Sequence, residues 1–106
     1  MNHKIMWVLL LAVFLNGCAW VELSAGGKKV RVLTADEVST CKHLGKTTAN
    51  VADKVAGLKR KDHIVSENIE MLARNAAAEM NGDTIVAITP IENGKQTFNV
   101  YRCVGP

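Results

Sequence analysis

The chain has 106 residues, with 13 Lys and Arg against 10 Asp and Glu, three His and three Cys. That length holds one small domain, which falls below the ~100–200 residues typical of a domain once the leading apolar segment is set aside, and a core so limited is often supplemented by a covalent staple. A net charge of +3 without a clustered basic face gives no argument for nucleic acid as a partner.

The first stretch sets the address. Met1-Asn2-His3-Lys4 is a short, weakly positive head, and Ile5 to Leu15 is apolar throughout. Such a run suits the core of a signal peptide and is too short for a bilayer, which takes ~20 residues. Leu15-Asn16-Gly17-Cys18 closes it and resembles the lipobox of bacterial lipoproteins, with Leu15 and Gly17 at matching positions and Asn16 in a slot that usually holds Ala or Ser. The resemblance implies cleavage before Cys18, acylation of Cys18, and durable attachment to a lipid bilayer, because two or more acyl chains hold where one barely does. Ala19 after Cys18, by likeness to enterobacterial lipoproteins, implies sorting to the outer membrane. The competing readings are a secreted protein with a free Cys18 and an uncleaved anchor helix. We therefore expect residues 1–17 to be a lipoprotein signal peptide, 18–27 the lipidated N-terminus and tether, and 28–106 the folded domain.

Within the tether, Ser24-Ala25-Gly26-Gly27 reads as a flexible stop, and Trp20 suits either a membrane interface or the domain surface. Lys28 to Leu33 alternates charge with Val30 and Val32, the period-two pattern of a half-buried strand. Thr34-Ala35-Asp36-Glu37 breaks it as a polar turn. Cys41 to Val51 is Thr-rich and reads as a second strand, with Gly45 marking a bulge. Ala52 to His63 reads as a basic loop around Lys59-Arg60-Lys61. Such a run is most simply a solvated face; the functional alternative is a contact with anionic headgroups or lipopolysaccharide phosphates.

Ser66 to Met80 is the clearest helix. Ile69, Leu72, Ala73, Ala76, Ala77 and Met80 build one apolar stripe, while Glu67, Glu70, Arg74 and Glu79 occupy the other side. Ser66 is the expected N-cap, and Asn81-Gly82 supplies the left-handed residue that closes a helix. Thr84 to Ile91 is a β-branched run and reads as the best-buried strand, with Pro90 near an unpaired edge or the turn. Glu92-Asn93-Gly94-Lys95 is a hairpin turn, because Asn-Gly tolerates positive φ at both central positions. Gln96 to Cys103 returns as the partner strand. A two-residue turn places Ile85, Ala87, Phe98 and Val100 on the helix-facing side. The order β-β-α-β-β predicts an α+β fold, a small two-layer domain with one helix on an antiparallel-rich sheet.

With Cys18 assigned to lipid, Cys41 and Cys103 remain as a pair in an oxidising compartment, which predicts a disulfide. The alternative is two free thiols or metal ligands. Cys41-Lys42-His43 places a thiol and an imidazole on one strand face, and together with His63 they form the candidate set for a small-ligand or metal-binding lipoprotein. No nucleophile–base set, phosphate loop or zinc-helix motif is readable, so no catalytic residue, metal or cofactor is assigned and the chain is read as a non-enzyme.

Glu22-Leu23-Ser24-Ala25, Val30-Arg31-Val32, Cys41, Leu44-Gly45, Leu72-Ala73-Arg74-Asn75-Ala76-Ala77-Ala78 and Val100-Tyr101-Arg102-Cys103 together resemble the YjeI-like lipoproteins, Domain of Unknown Function 4156. Asn81-Gly82-Asp83 departs from the Gly-Gly-Asn usual there, and residues 52–63 match poorly. In layout alone the chain is similar to the stress-sensing outer-membrane lipoprotein of the Rcs phosphorelay, and layout transfers no function. The resemblance implies a membrane-anchored cell-envelope protein in the periplasm, with an envelope protein as a possible partner in an interaction or envelope-monitoring role.

Overall fold

The computed structural model describes residues 21–104, and Cys18, Trp20 and the signal segment lie outside them. Nine elements follow in order. A 3-10 turn at Gly27–Lys29 leads into β1 (Arg31–Val32), and a second at Ala35–Val38 into β2 (Lys42–Asn50). A small hairpin of β3 (Lys54–Val55) and β4 (Leu58–Lys59) precedes the helix α1 (Asp62–Glu79). The strands β5 (Thr84–Ala87) and β6 (Lys95–Arg102) complete the chain. The four longer-range strands form one sheet in the order β1-β5-β6-β2. β6 runs antiparallel to both neighbours, and β1 lies parallel to β5. The fold is α+β, one helix on a mostly antiparallel sheet, as the alternation of patterns predicts.

The helix buries Val65, Ile69, Ala73 and Ala77 against Ile85, Phe98, Val100 and Ala49 of the sheet. The four helix residues recur every fourth position, which keeps them on one stripe. Two of them are alanines, so backbone and sheet approach closely. The helix begins one turn earlier than expected: Lys61 is the N-cap, without a side-chain cap bond, and Ser66 lies inside the helix. The extra turn brings Val65 into the core, while Asp62 in the first turn complements the positive helix end. At the other end Gly82 N–H donates to Ala77 O and Asn81 N–H to Ala78 O, with Asn81 at φ 63°. This is a Schellman closure in which Asn81, not Gly82, takes the left-handed conformation.

The bulge between His43 and Gly45 is present in β2, as Gly45 suggests. The turn Asn93-Gly94 has φ values of 51° and 74°, and the Glu92–Lys95 bridge closes it as a two-residue hairpin. Gly94 is also required sterically, because a Cβ there would run into Val51 O. β5 is shorter than expected, ending at Ala87 rather than Ile91. Pro90 has no N–H for the ladder, and Thr89 turns out of register, its Oγ1 accepting Thr97 N–H at 3.0 Å. Residues 88–91 therefore bulge opposite 96–97. The excess is even, so parity survives: Ile85 pairs with Val100 and Ala87 with Phe98, on the helix side.

Two further expectations need correction. Residues 52–61 are not a plain loop but a hairpin, with Ala56 and Gly57 both at positive φ in its turn. Residues 22–27 are not a free tether. Asn75 accepts Ser24 N–H at 2.8 Å and donates to Glu22 O at 2.7 Å, and Gly27 is buried where a Cβ would strike the Asn75 side chain. The Gly26-Gly27 pair serves close approach to the helix, not looseness.

Candidate functional site

The two ends of the sheet differ in character. At one end Cys41, just before β2, and Cys103, just after β6, form a disulfide with Cα atoms 4.4 Å apart. The β2–β6 register, which pairs Lys42 with Arg102, brings them face to face. Asp83 fastens the same end. Its carboxylate accepts Cys103 N–H and Val104 N–H, each at 2.8 Å, and the Thr84 hydroxyl at 3.0 Å. Burial pushes the Asp83 carboxyl up, but these three donors and the Arg102 guanidinium outweigh it and hold the carboxyl below its ordinary value of 3.8.

A depressed carboxyl contributes stability that is present above its unfolded pKa and lost as pH falls through the folded one. We expect Asp83→Asn to cost about 1–3 kcal/mol near neutrality, because its amide turns a donor toward one of two backbone N–H groups. Urea unfolding across pH should show the gap between wild type and variant closing below about pH 4. A gap of constant size down to acid would contradict the assignment.

The sheet surface turned away from the helix carries His43, Lys46, Thr48, Thr97, Asn99 and Tyr101, which share a face by register. His43 Nε2 lies 3.2 Å from Asn99 Oδ1, and its ring stacks edge-on to Tyr101 at 5.3 Å. Thr48 and Thr97 hydroxyls meet at 2.9 Å. The candidate metal set does not converge. Cys41 is committed to Cys103, and His43 is engaged on the outer sheet face. His63, on the first turn of α1, is exposed two residues before the buried Val65, on the far side of the molecule. Among the described residues no group of three His, Cys, Asp or Glu side chains is placed to hold a metal ion.

The opposite end is built from the β3–β4 hairpin, the first turn of α1 and the Asn93-Gly94 turn. A shallow cavity of about 290 Å³ lies between them, lined by Asp53, Lys54, Lys59, Asp62, Val65 and Ile91 among others. Lys59 pairs loosely with Asp62 at 3.6 Å, both side chains well exposed, an ion pair of little energetic weight. Arg60 is tied back: its N–H donates to Asp53 O at 2.7 Å and its guanidinium to Ala52 O at 2.8 Å. Lys59-Arg60-Lys61 thus forms the outgoing arm of a hairpin whose tip, Val55-Ala56-Gly57-Leu58, is exposed at every residue.

Sequence reading missed one group outright. Arg74, assigned to the solvent side of the helix, is only 20% exposed in its side chain. Its Nε donates to Gly27 O at 3.1 Å and Val30 O at 2.9 Å, and its Nη2 to Lys28 O at 3.2 Å. With the neighbouring Asn75 it straps residues 22–30 to the helix. An Arg-Asn pair in a helix beside three alanines was the available signal, since such a surface admits a close backbone.

The model of the family described as Domain of unknown function (DUF4156) matches residues 21–103. The chain belongs to the DUF4156 family. The match starts where the strapped segment starts and ends at the disulfide, so it spans the whole folded unit. No curated protein and no solved structure matches the chain.

Proposed function

We propose that this DUF4156 protein is a lipid-anchored, non-enzymatic protein of the bacterial cell envelope, held through an acylated Cys18 and sorted to the outer membrane. Its folded domain acts as a contact or envelope-monitoring module toward an envelope partner. The observation that carries the reading is the Cys41–Cys103 disulfide. Such bridges persist in oxidising compartments beyond the cytoplasmic membrane, the destination of a lipoprotein signal. The strap at Glu22 adds support: only three residues separate it from Cys18, so the domain rides close to the surface in which Cys18 is embedded.

The test is the intact mass of membrane-extracted protein, before and after reduction and alkylation. We expect residues 18–106 plus acyl groups, with Cys41 and Cys103 alkylated only after reduction. Cys18→Ser should remove the acyl mass and leave the precursor unprocessed. An unlipidated wild-type mass sinks the anchor, and freely alkylating thiols sink the compartment argument.

A further inference from the structure

The apolar surface of the domain is unevenly placed. Of the large hydrophobic side chains exposed among the described residues, Val55, Leu58, Ile64, Ile88 and Ile91 belong to the hairpin end, against Val32 and Val104 elsewhere. Leu58 is 74% exposed and Val55 59%, and the register of the hairpin sets them side by side on one of its faces. The turn between them, Ala56-Gly57, has φ values of 53° and 79°, and nothing lies within 4 Å of a Cβ built on Gly57. Ala56 pays a steric cost for its left-handed backbone, which Gly or Asn would reduce. The tip therefore stands clear of the body and presents aliphatic groups only. Below it come Lys54 and Lys59 as a cross-strand pair, then Arg60 and Lys61. These four cations face two acids, Asp53 and Asp62, one of them already beside Lys59.

We propose that the β3–β4 hairpin is a second membrane contact of the anchored protein, its Val55–Leu58 tip entering the interface of an anionic bilayer while Lys54, Lys59 and Lys61 meet the headgroups. The inference rests on the lipid-anchor reading. An aliphatic tip above three exposed lysines, with the Arg60 charge held behind them, fits a soft, negatively charged interface, where apolar burial and headgroup attraction add. The dimensions allow both contacts at once. Four residues from Cys18 to Glu22 reach at most ~14 Å. The strap holds Glu22 at Asn75, and Asn75 lies ~20 Å along the helix from Asp62 at the foot of the hairpin. A helix lying parallel to the bilayer brings strap and hairpin to the surface together, and tethering through Cys18 makes the second contact intramolecular.

Membrane-extracted protein is inserted from micelles into preformed vesicles, of phosphatidylcholine alone or with a third phosphatidylglycerol, and floated before digestion with trypsin. The rate of cleavage after Lys59, Arg60 and Lys61 is read by mass spectrometry. We expect it to fall about tenfold on anionic vesicles relative to neutral ones, with the difference removed by high salt. Val55→Asp and Leu58→Asp should each abolish the protection while keeping the wild-type urea midpoint, since neither side chain is buried. Equal cleavage on both vesicle types, by protein that floats, overturns the hairpin contact alone and leaves the tip to a protein partner. Protection that survives both substitutions also overturns it. Protein that fails to float and carries no acyl mass overturns the anchor, and the second contact with it.

Discussion

Replacing Cys41 and Cys103 together by Ser should destabilise the domain by about 4 kcal/mol, the chain-entropy value for a bridge closing 62 residues. Small domains have ~5–15 kcal/mol in total, so the loss is a large share of what holds this one together. The fold has few other long-range restraints of comparable size, because its helix–sheet core is made chiefly of valines, alanines and isoleucines with one phenylalanine. The native arrangement should nonetheless survive. Asp83 holds the Cys103 and Val104 backbones, Cys41 N–H donates to Val38 O at 2.9 Å, and the β2–β6 ladder continues up to Lys42 and Arg102. The expected result in urea is a two-state transition whose midpoint falls by about 2 M or more. Reductant should move the wild type to the same place and leave the double variant unmoved. A midpoint that does not shift would mean the bridge contributes nothing to folding, and the compartment argument would lose its physical motive.

The parts of the fold that were legible in the sequence are those with local causes. Asn93-Gly94 announces its turn because positive φ at consecutive residues restricts the side chain, and the turn sits where expected. The stripe through Ile69, Ala73 and Ala77 announces the helix because burial repeats with the helical period. The assignment of Ile85 and Val100 to one face was right for a subtler reason: the bulge at residues 88–91 is even in length, and a shift of one residue would have reversed it. What was not legible depends on tertiary partners. Ser66 is a good cap by type, yet burying Val65 rewards starting the helix at Asp62. The β3–β4 hairpin escapes notice because two-residue strands leave no alternation to read, and its turn uses Ala-Gly in place of Asn-Gly.

The candidate surfaces divide the same way. Lys59-Arg60-Lys61 stood out as a basic run in the sequence, but the apolar tip that gives the run a direction exists only once Val55 and Leu58 are brought together. The metal set of Cys41, His43 and His63 is the alternative that strand alternation offers, because it aligns the first two. It fails because the sheet separates His63 from His43 and the bridge claims Cys41. Residue type proposes partners, and topology decides which of them meet.

Arg74→Ala should cost about 3 kcal/mol and loosen residues 27–30 on the helix, while Asn75 still holds Glu22 and Ser24. Three backbone carbonyls, at Gly27, Lys28 and Val30, take their side-chain donor from this guanidinium. Hydrogen bonds from a charged donor contribute ~1.5–3 kcal/mol each where burial is substantial, and here the contributions overlap on one partly exposed group. The Glu70 contact, at 3.7 Å on the open side of the helix, adds little by comparison. Arg74→Lys should recover only part of the loss, since a single ammonium cannot reproduce a planar fork aimed at separate acceptors. Backbone hydrogen exchange separates release of the strap from general loosening. Amides that close on this segment, Lys28 to Ser24 O, Lys29 to Gly26 O and Val30 to Gly27 O, should lose protection first. Those of β2 and β6 should change only as far as global stability falls. On the proposed lipid-anchor reading, the consequence is one of reach. With the strap in place the domain begins about four residues from Cys18; with both Arg74 and Asn75 replaced, the chain is free to about Val30, and maximal extension grows from ~14 Å to ~40 Å. On that reading Arg74 and Asn75 together set how close the domain is held, and uniform exchange across segment and sheet in Arg74→Ala would refute Arg74's part in it.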